Sequence, residues 1–63
     1  MTIKFETSNF GKVYNDNKET GAVRRRNGRW VALRPVDARY PGAGYEPFLC
    51  ITFNNAAVAA ARV

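Results

Sequence analysis

The dipeptide Asn27-Gly28 constrains what this chain can fold into more than any other feature. Asn-Gly is favoured where a two-residue turn demands positive φ at both central positions, and such a turn joins neighbouring antiparallel strands. Ala22–Arg26 and Arg29–Arg34 flank it and carry Val23, Trp30 and Val31, residues that suit a pleated surface. The sequence therefore predicts a hairpin, and a two-residue turn fixes its register. Arg26 falls opposite Arg29, Arg25 opposite Trp30, Arg24 opposite Val31 and Val23 opposite Ala32. Opposed residues share a face, so Arg24, Arg26, Arg29, Val31 and Leu33 lie on one side, and Val23, Arg25, Trp30 and Ala32 on the other. Pro35 has no ladder donor and should end the second strand or place it at an edge.

The rest of the chain is read around this hairpin. Ile3 and Phe5 alternate with Lys4 and Glu6, which predicts a half-buried strand over 2–7. Asn9-Phe10-Gly11 reads as a turn and Lys12-Val13-Tyr14 as a short strand, while the polar run Asn15 to Gly21 reads as a loop. Val36 to Pro47 is expected to be a longer connection centred on Tyr40-Pro41-Gly42-Ala43-Gly44-Tyr45, and the apolar run Phe48–Phe53 a central strand. Asn54 or Asn55 can cap a final helix over Ala56–Arg62, too short to hold alone and therefore docked. The expected fold class is α+β: one small domain over 1–63, an antiparallel sheet of four to five strands with one short C-terminal helix packed on one face. A chain of 63 residues buries only about 60% of its unfolded surface, so stability is thin and self-association into a homodimer is one way to add to it.

Composition narrows the chemistry. There is no histidine and one cysteine, which leaves no zinc site of the usual ligand set and no Cys-His or Ser-His pair. Cys50, within Phe48-Leu49-Cys50-Ile51, reads as a small buried hydrophobe. Glu6, Asp16, Glu19, Asp37 and Glu46 are scattered, and no two stand close in sequence. Gly42-Ala43-Gly44 precedes a strand rather than a helix, so it is not a phosphate loop. No enzyme activity and no cofactor are expected. No apolar run is long enough to span a bilayer, the first residues lack the apolar block of a signal peptide, and the lone cysteine fits a reducing compartment, so the expected location is cytoplasmic and not membrane-bound.

What remains is charge. Ten Lys and Arg against five Asp and Glu give a formal net charge of +5. Arg24, Arg25, Arg26, Arg29, Arg34 and Arg39 supply six of those ten cations from one short stretch. Direct opposition of Arg26 and Arg29 destabilises a sheet, which points to a role beyond folding, while Arg25 is placed to stack on Trp30. The candidate binding residues are Arg24, Arg26, Arg29, Trp30, Arg34 and Arg39, with Tyr40 and Tyr45 as a second group able to stack or hydrogen-bond. A solvated, edge-guarding hairpin is the bland alternative. The partner classes are an acidic protein surface or a nucleoprotein complex, or DNA or RNA bound directly.

From Gly21 onward the chain resembles the three-stranded DNA-binding domains of plant ethylene-response factors and the arm-type DNA-binding domains of phage and transposon integrases. The residues carrying the resemblance are Gly21, Val23-Arg24-Arg25-Arg26, Gly28-Arg29-Trp30-Val31-Ala32, Thr52-Phe53 and Ala56-Ala57. It implies a basic sheet entering the major groove through Arg24, Arg26, Arg29 and Trp30. The turn is shorter than in the plant family, and Glu46-Pro47 and Cys50 depart from its pattern. By type alone, with no shared motif, the chain is similar to the small stand-alone inhibitors of phages and mobile elements, anti-CRISPR proteins among them. That likeness implies occlusion of a host nucleic-acid-handling complex.

Overall fold

A computed structural model describes residues 1–40 and 43–63. Five strands, β1 (Thr2–Thr7), β2 (Phe10–Asn15), β3 (Lys18–Arg26), β4 (Arg29–Pro35) and β5 (Tyr45–Pro47), are followed by one helix, α1 (Ala56–Ala60). Strand order in the sheet equals chain order, and every pairing is antiparallel. Among the described residues the molecule is mostly sheet, with one short helix.

The central hairpin has the register that a two-residue turn dictates: Arg26 opposite Arg29, Arg25 opposite Trp30, Arg24 opposite Val31, Val23 opposite Ala32. Asn27 and Gly28 both hold positive φ, 53° and 76°. β4 ends on Pro35, as its missing donor requires.

Four elements differ from expectation. The first turn is Ser8-Asn9 rather than Asn9-Phe10-Gly11, so β2 already begins at Phe10 and runs to Asn15. Asn15 to Gly21 is not a loop. Asp16 and Asn17 form a second two-residue turn at φ 52° and 64°, and β3 begins at Lys18. Thr20 is the extra residue of a bulge opposite Val13 and Tyr14, its hydroxyl donating to the Val13 carbonyl and accepting from Asn15 Nδ2. The polar composition concealed a strand because two short side chains tolerate the left-handed region without glycine.

Phe48 to Phe53 is not a central strand. β5 occupies Tyr45–Pro47, inside the expected connection, and pairs Leu33 with Pro47. The chain next pairs at Trp30 with Phe53 through two backbone hydrogen bonds of 2.8 Å. Six steps of chain, from Pro47 to Phe53, thus span three of β4, and the excess bows outward. Phe48 and Leu49 pack against the core, while Cys50 and Ile51 are exposed. The run is apolar because it seals the side of the core, and Cys50 is not the buried residue expected.

The helix stops at Ala60, short of Arg62. Asn55 caps it, its side chain accepting from Val58 N at 2.9 Å. Ala59 and Ala60 share a buried cluster with Val13, Val23, Ala32 and Phe53. Their small side chains allow close approach, and beyond the helix Val63 packs over Gly21, where a Cβ would strike Val63 Cγ1 and the Leu33 carbonyl. No helix among the described residues is long and apolar enough to cross a membrane.

Candidate basic interface

Alternation along β3 and β4 puts Val23, Arg25, Trp30, Ala32 and Arg34 on the face holding the core cluster. Arg24, Arg26, Arg29, Val31 and Leu33 take the other face, beside Phe10, Lys12 and Tyr14 of β2. Small residues at the sheet centre let rings lie across it. On the core face Phe5 leans over Gly11, where a Cβ would meet it at 2.9 Å, and meets Trp30 edge-on at 5.9 Å. On the other face Phe10 and Tyr45 meet at 5.7 Å, and the strands between them contribute the buried Ala22 and Leu33.

The predicted site residues separate under this geometry. Arg24, Arg25 and Arg26 are consecutive, exposed, and without an ion pair among the described residues. The Arg24 guanidinium lies over the Phe10 ring at 5.9 Å, which orients it without neutralising it. The Arg25 amide donates to Asn9 O at 2.7 Å, anchoring the strand at the base of the tip.

Arg29 differs. Its Nε donates to Thr52 Oγ1, its Nη1 to Asn54 Oδ1 at 2.8 Å and its Nη2 to the Thr52 carbonyl at 3.0 Å. The guanidinium fork is committed to holding the C-terminal segment against β4, which accounts for an arginine tolerated opposite Arg26. Trp30 is half-buried in the core, with Phe5 rather than Arg25 against its ring. The Arg34 guanidinium lies over Phe48 at 4.2 Å. Arg39 and Tyr40 are exposed, Tyr40 at 66%, and the Arg39 amide donates to Asp37 Oδ1. Pro41 and Gly42, the middle of the expected tyrosine turn, lie outside the described residues.

Tyr45 belongs to β5 and packs inward. Its hydroxyl is buried with no partner in hydrogen-bond geometry, although the Glu19 carboxylate is near. Burial, and then Glu19, push its pKa well above the ordinary value near 10. Lys12, absent from the predicted set, bridges Glu6 at 3.1 Å and Glu19 at 3.7 Å, and these carboxylates raise its pKa. Two of the five acids, Glu6 and Glu19, thus collect around Lys12 on β2, away from the arginine tip.

Sequence reasoning also missed an open groove of about 410 Å³ beside the tip. Arg26, Arg29 and Val31 form one wall, and Pro47, Leu49 and Ile51 the other. The bowed 48–52 segment creates it, and no periodicity announced that bow. Comparison with known protein families, with curated proteins and with solved structures finds no match.

Proposed function

We propose that this protein is a non-enzymatic binding protein that occludes a surface of a host nucleic-acid-handling complex, in the manner of the stand-alone inhibitors of phages and mobile elements, anti-CRISPR proteins among them. In this reading it acts in the cytoplasm, and its architecture is an α+β sheet with the helix docked on one face. One observation carries it: Arg24, Arg25 and Arg26 stand exposed at a hairpin tip with no counter-charge among the described residues, while Lys12 of β2 is paired twice. Three adjacent uncompensated cations raise the free energy of the folded chain, and an anionic partner offsets that cost.

The test is capture from lysate of the native host by the wild-type protein and by an Arg24→Glu, Arg25→Glu, Arg26→Glu variant. The wild type should retain a nucleic-acid-handling complex and the variant should not; equal retention overturns the reading. A parallel titration with duplex and single-stranded nucleic acid examines direct binding. Affinity that falls steeply between about 50 and about 200 mM salt would assign the tip to phosphates instead of protein.

A further inference from the structure

The groove beside the tip is built differently from a phosphate track. Val31, Pro47, Leu49 and Ile51 give it aliphatic walls, and Ile51 stands 53% exposed at its rim. No aromatic ring lines it, so an unstacked base finds no platform. Of its two arginines, Arg29 is committed to Thr52 and Asn54, which leaves Arg26 as the available cation at the mouth. No carboxylate lines the groove, so an entering anion meets no repulsion there. The volume of about 410 Å³ falls within the range of about 300–1,000 Å³ that binding pockets occupy.

An occupant must satisfy both halves of this surface. A nucleic-acid backbone would gain from Arg26 and its hairpin neighbours but nothing from the aliphatic walls. A purely apolar segment would leave the cations uncompensated. A polypeptide with an apolar side chain between acidic ones meets both demands. We propose that this groove seats an extended acidic segment of the partner protein, with an aliphatic side chain entering between Val31 and Ile51 and flanking carboxylates meeting Arg26 and Arg24. The inference rests on the tip being an anion-binding surface and goes further, by making the partner contact a protein one.

The probe is a labelled synthetic peptide carrying one leucine among aspartates and glutamates, with two controls: the same peptide with serine for leucine, and single-stranded oligothymidine. Titration into isotope-labelled protein, read on backbone amides, should shift Val31, Cys50, Ile51 and Thr52 together with Arg26. The leucine peptide should bind at least about tenfold more tightly than the serine peptide, and Ile51→Glu should erase that difference. Equal binding of the two peptides, with shifts confined to 24–28, overturns the groove assignment and leaves the anion-binding tip standing. Oligothymidine that binds as well as the leucine peptide, unaffected by Ile51→Glu, also overturns it. Groove amides that shift on concentrating the protein alone would identify a second copy as occupant and overturn it too. Failure of every anion to bind at low salt would remove both the groove assignment and the basic-tip reading beneath it.

Discussion

The molecule contains two hairpins that solve the same backbone problem and differ in everything around it. Asp16-Asn17 and Asn27-Gly28 both place two successive residues at positive φ. The first is knitted into its surroundings: Asn15 donates to Thr20, and Lys12, nearby on β2, is paired with Glu6 and Glu19. The second ends in three exposed arginines that nothing in the described residues neutralises. Geometry alone accounts for the first. The second carries charge that nothing in the described residues balances, and it is the surface that the proposed function puts to work.

The strongest way to break this comparison is to exchange the charge. Reversing Arg24, Arg25 and Arg26 to glutamate should weaken anion binding by about a hundredfold or more, whereas Lys18→Glu at the first turn should leave it within about twofold. Equal losses in a binding titration would erase the distinction. Next in size is a change to the strand both hairpins share. Gly21→Val drives side-chain atoms into Val63 and the Leu33 carbonyl and should cost about 3 kcal/mol in a urea unfolding curve.

A smaller contrast separates the opposed arginines. Arg29→Ala should cost about 1 kcal/mol, a figure kept low by the solvent exposure of its three hydrogen bonds, and Arg26→Ala should change stability by less than about 0.5 kcal/mol while weakening binding. At the turns themselves, Gly28→Ala should lose about 1 kcal/mol and Asn17→Gly should gain a few tenths, both by thermal melting. Smallest at neutral pH is Tyr45→Phe, within about 0.5 kcal/mol, because the hydroxyl it deletes is buried without a partner. Its effect grows in alkali. The folded chain keeps the Tyr45 proton above pH 10 while the unfolded chain releases it, so the wild type loses stability as pH rises through that range. The phenylalanine variant should lose less, as melting curves between neutral and alkaline pH will show.

How far the sequence could be read follows from the same contrast. Asn27-Gly28 announced its turn because glycine is the usual solution to positive φ, and the register of β3 on β4 followed to the residue. Asp16-Asn17 lacks glycine, and its polar neighbours Lys18, Glu19 and Thr20 look like loop although they are strand. The apolar run from Phe48 misled in the opposite direction, since hydrophobicity reports burial and not direction of chain. Within the site, the shared face of Arg24 and Arg26 was legible from alternation, but the exposure of Arg25 beside them was not. The commitment of Arg29 was not, because its partners Thr52 and Asn54 stand more than twenty positions away and carry no charge to mark them.

The agreement between strand order and chain order bears on how this protein acquires its structure. Each strand pairs with its sequence neighbour, so the loop closures that build the sheet are short and folding should be fast for a β-rich chain. The exceptions lie in the C-terminal segment: the Trp30–Phe53 pairing and the docking of α1 close long loops, and so does the exposed clasp of Arg29 on Thr52 and Asn54. Loss of the clasp should therefore leave the refolding rate nearly unchanged and accelerate unfolding, giving a chevron altered in one arm only. The groove wall, tethered by that clasp, would be the last part of the molecule to form and the first to open.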